Sequence, residues 1–447
     1  MSKIIVSKFG GTSMKDHEAM LRSAKISMEQ KSSITLVSAT SGTTDKLHDL
    51  IEKSVSGHWN ECEKILFSIR ESHFDILQNL TNDTMVGEKL RELLNNLETL
   101  SRGIFLLSEC SEKAKDRIVS FGERLSSLLY TEALKMTWKD RAIELFDSRT
   151  ILKTDSSFGK AKPNISRIKA ECTTYFKFSD KIAYVGQGYI GSDDKGSTTT
   201  LGRGGSDYSA AIFAEGVNAD VLEIWTDVAG IATTDPRICS NTKSIHEISY
   251  NEASEMAQYG AKILHPTTLV PAMRAGIPVF VGSSYERDEL GTWIREDVEE
   301  KPLIRAIAKR GNQALLTIST PKMLNTFGFM GRIFETFTKH EISADCVTTS
   351  EISVAVTVDH TTLKNEAFLK DLSLIGDVKT DLGLTLVSLI GNQMLEKSGL
   401  SKRIFTSIEE INVRMLCLGA SAYNFNILVK DSDGDKAIQL LHKEFIG

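Results

Sequence analysis

Short β-branched runs alternate with longer stretches of helical period through the first two thirds of the chain. Apolar runs at residues 4–7, 34–38, 142–146, 182–185, 221–226 and 278–281 predict strands, and amphipathic patterns from Asp16, over 208–215 and over 251–262 predict helices between them. A long helical region fills the gap to about residue 135. Strands separated by helices imply a parallel sheet with helices on its faces. The pattern ends near Ser284, so a first domain is expected over residues 1–286. Residues 287–301 are charged and weakly periodic, which predicts a surface connection rather than core.

The remaining third holds an internal repeat. The run from Gly328 to Phe334 recurs from Gly399 to Phe405, and Arg332 and Arg403 set the offset at 71 residues. Each copy predicts a helix followed by two strands, at 343–349 and 353–359 in the first and at 414–418 and 424–430 in the second, then a closing helix. The first copy has a strand before it (314–319) and one after it (378–382). The second has a leading strand (384–390) but no closing one. Residues 303–310 can supply that edge, which places the first unit (314–383) inside the second (302–313 with 384–447).

Composition narrows the function. With 447 residues, 41% hydrophobic and 25% charged content, the chain can bury a core of several domains. A net charge of -6 with no basic stripe gives no electrostatic reason to expect a polyanion, and no nucleic-acid partner is expected. Cys62, Cys110, Cys172, Cys239, Cys346 and Cys417 lie too far apart for a zinc site or a disulfide framework. No window is apolar enough to span a membrane and the N-terminus has no signal-peptide pattern, so the expected location is the cytoplasm.

Three glycine-rich loops compete for a phosphate. Lys8-Phe9-Gly10-Gly11-Thr12-Ser13 follows the first strand, where glycine lets backbone N–H groups approach a phosphate and the next helix N-terminus favours its charge. A plain strand-to-helix turn needs the glycines too; Lys8 and the hydroxyl pair favour phosphate. Gly186-Gln187-Gly188-Tyr189-Ile190-Gly191 spells a dinucleotide fingerprint, but turn-forming residues follow it where that reading needs a helix. The loop at 198–207 is rich in small residues and leads into a strongly patterned helix, which marks a binding surface. Its Arg203 offers a planar fork for a carboxylate or phosphate, and Asp207 is either the helix N-cap or a partner for a cation.

The motifs KFGGTS (8–13), SFGE (120–123), TTTLGRGGSD (198–207), WTDV (225–228), TTDPR (233–237) and GAKILHP (260–266) occur together in this order. The set resembles the aspartokinases, over the whole chain. MLNTFGFMGRIF (323–334) and VTTSE (347–351) make the lysine-sensitive monofunctional members the nearest match. The resemblance implies an α/β amino acid kinase fold, with three α/β/α layers on a mainly parallel sheet, followed by two α+β ACT domains, one inserted in the other. It implies ATP and Mg²⁺ as cofactors and L-aspartate as acceptor, at the first step of lysine, threonine and methionine synthesis, with lysine made through diaminopimelate.

It also implies residue roles. Lys8, Phe9, Gly10 and Gly11 hold the phosphates with Lys262 and Ile263, while Thr226, Asp227 and Arg237 line the nucleotide pocket. Arg203, with Gly204, Gly205 and Ser206, takes the aspartate α-carboxylate. Glu123 takes its ammonium group, and Ser38, Ala39 and Thr44 its side-chain carboxylate. Lys8, Arg203, Asp207 and Lys262 are the catalytic set. The attacking carboxylate is already ionised, so no general base is needed. No protein cage for the metal is visible, which leaves Mg²⁺ on phosphate oxygens. The family places an aromatic residue before TTDPR against adenine; this chain has Gly230-Ile231-Ala232, a loss worth about 1 kcal/mol of contact.

For regulation, the resemblance implies an L-lysine site between the first ACT units of two subunits. Its residues are Met323, Thr326, Gly328, Phe329, Met330, Ala344, Asp345, Ser350 and Glu351, with Asp345 or Glu351 for the lysine ammonium. ACT pairing implies a homodimer or a dimer of dimers. The alternative reading is a catalytically inactive amino-acid sensor, against which the intact Lys8, Arg203, Asp207 and Lys262 argue. A bifunctional fusion to a dehydrogenase is not expected at this length.

Overall fold

The computed structural model describes residues 3–260, 264, 266–286, 290–324 and 327–447. The chain folds as two compact units, residues 1–231 with 245–250 and 263–298, and residues 232–244 with 251–262 and 299–447.

The strands in chain order are β1 (Ile5–Phe9), β2 (Ile34–Val37), β3 (Ala142–Leu145), β4 (Ile182–Gln187), β5 (Ile190–Ser192), β6 (Thr198–Thr200), β7 (Val221–Thr226), the two-residue strands β8 (Ile231–Ala232) and β9 (Ser244–Ile245), then β10 (Glu247–Ser249), β11 (Val279–Ser283) and β12 (Thr292–Arg295). In the first unit eight of them form one sheet in the order β10-β12-β11-β7-β1-β2-β4-β3. Only the β11–β12 pair is antiparallel. The chain leaves β1 for β2 on one side and later returns through β7 on the other. The carboxyl end of β1 is therefore a topological switch point, where open α/β sheets form a crevice. β1 and β2 are buried on both faces, which is why they read as unbroken apolar runs.

Helix positions follow local chemistry. Asp16 accepts the Ala19 N–H at 2.8 Å and starts the helix His17–Glu29, which packs on the helix Phe121–Thr137 and buries Met20, Ala24 and Ile26. The helix Phe121–Thr137 is buried along nearly its whole length, with Leu125, Leu129 and Ala133 fully covered. Each such leucine contributes about 1.5–3 kcal/mol by leaving water.

The expected surface connection over 287–301 contains a strand instead. β12 pairs with β11 and β10, burying Thr292 and Ile294 and exposing Arg295. Its Thr292 Oγ1 accepts the Ile231 N–H at 2.7 Å and donates to the Ile245 carbonyl at 2.5 Å. Gly230, at φ +112, has no room for a Cβ against that hydroxyl.

The second unit is an antiparallel sheet in the order β14-β15-β13-β16-β18-β17, made of β13 (Ala306–Ser319), β14 (Val347–Thr349), β15 (Ser353–Asp359), β16 (Asp377–Ile390), β17 (Met415–Cys417) and β18 (Asn424–Lys430). The long strands β13 and β16 run through both repeats. The first part of β13 pairs from Ala306↔Ile390 to Arg310↔Leu386, and its second part from Leu315↔Asp381 to Ser319↔Asp377. A bulge at Gly311–Asn312, with Asn312 at φ 57, separates the two parts. Phe329, Ile333, Phe337 and Phe368 fill one core, and Leu400, Ile404, Ile438 and Leu441 the other. Glu252, fully buried, takes Arg305 at 3.1 Å and the Asn392 amide at 2.8 Å. Among the described residues no helix is long and apolar enough to cross a membrane.

Candidate active site

A cleft of about 760 Å³ opens at the carboxyl ends of β1, β2 and β7. Its walls are residues 10–12 after β1, residues 38–42 and Thr44 after β2, the 202–207 loop, and Thr226 with Asp227 after β7. Lys8, Asp116, Glu123, Tyr189 and Thr200 also line it.

One side of the cleft carries a lysine and a glycine-rich bend. Lys8 stands on β1 between Leu36 of β2 and Ile224 of β7, and its ammonium lies 2.6 Å from Asp207 Oδ1. Gly10 and Gly11 bend the chain there, and a Cβ on Gly11 would press on the Ala39 carbonyl at 3.2 Å. Phe9 is different from the expectation: its side chain is fully buried against Tyr130 and Trp225, so only its backbone faces the loop. The helix after this loop also departs from expectation. A 3-10 turn at Thr12–Met14 intervenes, and Asp16 caps the helix that follows by taking its Ala19 N–H, so its N-terminus is not the anion site. Two other helix starts line the cleft, at Thr43–Val55 behind Gly42 and at Gly205–Val217 behind Gly204, and neither has a side-chain cap. Asp207 lies inside the first turn of the second helix, so it is the cation partner and not the N-cap.

Another part of the cleft carries a buried carboxylate. Glu123 is buried, its Oε1 accepts the Ala39 N–H at 3.2 Å, and its Oε2 has no hydrogen-bond partner among the described residues. Burial pushes its carboxyl up to about 8, against the pull of the Ala39 N–H and the Lys8 charge. A buried carboxylate oxygen without a donor is costly unless a ligand cation supplies one. Arg203 is exposed at the mouth and forms no ion pair or hydrogen bond among the described residues, so its fork is available. Ser38, Ala39, Thr44, Gly204, Gly205 and Ser206 all line the cleft. The Ser38 carbonyl is held by Ser126 Oγ at 2.7 Å. A Cβ on Gly122 would come within 2.7 Å of Ala39 Cβ, so the Glu123 helix and the Ala39 loop meet only through glycine.

Other expected residues lie elsewhere. Arg237 belongs to the second unit, is exposed, and pairs with Asp235 of its own turn at 2.6 Å. Lys262 and Ile263 lie outside the described residues. The fingerprint-like stretch at 186–191 ends β4 and opens the hairpin β5–β6, with no helix inside it. Several lining residues escaped the sequence reading, Asp116, Tyr189 and Thr40 among them. Asp116 accepts the N–H groups of Gly159 and Thr200 at 2.9 and 2.8 Å and the Thr200 hydroxyl at 2.8 Å. Tyr189 adopts φ 69, and Thr40 lies between Ala39 and Ser41. Only Tyr189 carried a signal, its place in a glycine-rich turn.

In the second unit a smaller cleft, about 360 Å³, is lined by Met323, Leu324, Gly328, Phe329, Met330, Ser350 and Glu351. Thr326 lies outside the described residues. Ala344 packs on the core of the first repeat instead of lining the cleft. Asp345 is also outside it, mostly shielded and 2.9 Å from Arg310.

The sequence model of the amino acid kinase family matches residues 3–283, and that of the ACT domain matches residues 387–445. The chain is 42% identical over 452 residues to the lysine-sensitive aspartokinase 3 of Escherichia coli K12, with 99% of each chain covered. Its fold is similar to that of E. coli aspartokinase III in complex with aspartate and ADP, with a TM-score of 0.90 at 41% identity over 100% of both chains. The same enzyme in complex with lysine and aspartate gives a TM-score of 0.81 at 41% identity, again over 100% of both. A cleft that holds a lysine and a buried glutamate with one unpaired oxygen, on a chain this similar over its full length, places the protein in the aspartokinase family.

Proposed function

We propose that this chain transfers the γ-phosphoryl group of ATP to the side-chain carboxylate of L-aspartate, giving ADP and 4-phospho-L-aspartate, under feedback inhibition by L-lysine. The observation that carries this reading is the pairing, in one cleft, of a phosphate-side cation with a buried carboxylate whose second oxygen awaits a donor. Lys8 and the N–H groups of Gly10 and Gly11 take the phosphates. Glu123 takes the aspartate ammonium, Arg203 its α-carboxylate, and the 38–44 loop presents the other carboxylate toward Lys8.

Phosphoryl transfer of this kind is driven by alignment and by positive charge at the transferring oxygens. Lys8 supplies that charge, and Asp207 fixes its direction. No cluster of His, Cys, Asp or Glu among the described residues has metal-ligand spacing. A Mg²⁺ ion would be held on the phosphate oxygens, with Asp207 able to assist, and it would supply neutralisation of phosphate charge.

The finer assignments belong to the same reading. Residues 1–286 form the catalytic domain, with an ACT unit of 314–383 inserted between 302–313 and 384–447. The enzyme works in the cytoplasm at the head of the diaminopimelate route to lysine. It is a homodimer or a dimer of dimers through its ACT units. Leu324, Phe327 and Ile352 leave apolar side chains exposed around the smaller cleft, which supports association there.

The test is ADP release from MgATP with aspartate, with glutamate and without acceptor, each with and without lysine. Release that needs aspartate and falls with lysine is the expected result. Equal release with glutamate, or none with any acceptor, overturns the reading.

A further inference from the structure

Behind the 38–44 loop lies a histidine that the reaction just described does not use. His73, on the helix Trp59–Leu80, is fully shielded from solvent. Its Nδ1 lies 2.7 Å from the Ile69 carbonyl oxygen, which can only accept, so Nδ1 carries the ring proton and Nε2 keeps its lone pair. Burial lowers its pKa to about 4, and the Lys46 charge adds to that, so the ring stays neutral at physiological pH.

A one-way chain follows. Nε2 is 3.3 Å from Thr40 Oγ1, so the Thr40 hydroxyl donates to the ring. Thr40 Oγ1 then accepts from Thr43 Oγ1, 2.5 Å away. Thr43 also donates its N–H to the Thr40 carbonyl at 3.0 Å. Two buried hydroxyls bonded only to each other would leave one proton without an acceptor, and His73 is the acceptor that ends the run. Thr40 lines the cleft, and Thr43 starts the helix whose next residue is Thr44.

We propose that His73 is a positioning residue for the acceptor substrate: by ending the chain Thr43, Thr40, His73 it holds the 38–44 loop in the form that receives the aspartate side-chain carboxylate. The proposal rests on the function assigned above and extends it to a residue about one side chain behind the cleft wall. Phosphate binding depends on Lys8, Gly10 and Gly11, which the chain does not touch. Aspartate binding is therefore the quantity it controls.

Two substitutions in the full-length protein separate positioning from packing. The amide of His73→Asn can still donate to Ile69 but does not reach Thr40, whereas His73→Gln can present an oxygen near the Nε2 position. Both should lower the thermal midpoint. His73→Asn should raise the KM for aspartate about tenfold with the KM for ATP changed less than about twofold, and His73→Gln should stay within about threefold of wild type for both. Thr43→Val, which removes the first donor and leaves His73 intact, should move the aspartate KM in the same direction. Equal effects of Asn and Gln, or parallel rises of both KM values, overturn the proposal. Wild-type protein assayed alongside separates the two levels: no aspartate turnover there sinks the assigned function, whereas normal turnover with an unchanged aspartate KM in His73→Asn sinks this inference alone.

Discussion

The ammonium of Lys8 and the carboxylate of Asp207 lie 2.6 Å apart, tying the end of β1 to the first turn of the helix Gly205–Val217. Both side chains are mostly shielded, at 9% and 17% exposure, so the pair is weak evidence for stability and better evidence for a cation held in one direction. Lys8→Met should lower kcat for aspartate phosphorylation by about 10²–10³-fold, the range for removing one preorganised donor to transition-state charge. Asp207→Asn leaves the charge but frees its direction, so its loss should be smaller, about tenfold. The double variant should lose little more than Lys8→Met alone, because Asp207 acts through the lysine. Steady-state rates at saturating ATP check this, and additive losses in the double variant would contradict it.

Glu123 sets a pH dependence whose sign is fixed by its environment. Its carboxyl titrates near 8 in the ligand-free cleft, so it is mostly protonated at pH 7, and an ammonium ligand requires the ionised form. The KM for aspartate should therefore fall about tenfold per pH unit up to about pH 8 and then level, while the KM for ATP stays flat. Glu123→Gln should bind aspartate weakly and remove the slope. Stability runs the other way. The folded pKa is raised above the ordinary 4.5, so the folded state holds the extra proton and loses stability as pH climbs from 4.5 to 8. The thermal midpoint of Glu123→Gln should exceed that of wild type by a margin that grows over this window.

Asp116 stabilises the loop that carries Arg203 by accepting three donors from Gly159 and Thr200. Asp116→Ala would leave those buried donors without partners, at about 1–3 kcal/mol each. Denaturant unfolding should show a loss of about that size for at least one donor, and the aspartate KM should rise because Thr200 lies three residues before Arg203. Asp116→Asn keeps an accepting oxygen and should lose less on both measures.

Chemistry carried by one short segment was legible in the sequence, and chemistry made by packing was not. Lys8, Gly10 and Gly11 fall within four positions at a strand end, and residues 202–207 announce a loop by their glycines. Asp116, by contrast, lies on the polar pattern of a surface-type helix, Glu112–Val119, and only the approach of Thr200 gives it work. His73 reads as one more residue of a 22-residue helix until that helix packs behind Thr40. β12 was hidden because its four residues bury only Thr292 and Ile294 and are flanked by charge. The 14-residue strands β13 and β16 read as separate pieces because Gly311 and Gly383 interrupt them where the ladder bulges.

The sequence offered Asp345 and Glu351 equally as partners for a lysine ammonium, and the structure separates them. Asp345 is bound to Arg310 at 2.9 Å, outside the smaller cleft, so a second cation there would have to displace a guanidinium. Glu351 lines the cleft beside Ser350, is exposed, and has no ion pair among the described residues. The left-handed Gly328 opposite it starts the helix Phe329–Lys339 without a side-chain cap, which suits the carboxylate of the same ligand. Glu351→Gln should therefore raise the lysine concentration for half-inhibition by at least about tenfold, the weight of one charge-assisted contact, with kcat and both substrate KM values unchanged. Asp345→Asn should leave lysine affinity within about threefold of wild type and instead lower the thermal midpoint, because it strands Arg310. Dose-response curves and melts on both variants decide the matter. If Asp345→Asn abolished inhibition while Glu351→Gln did not, the ammonium would have to bind on the Arg310 side, and the cleft at Met323 and Phe329 would be a packing defect of the helix start.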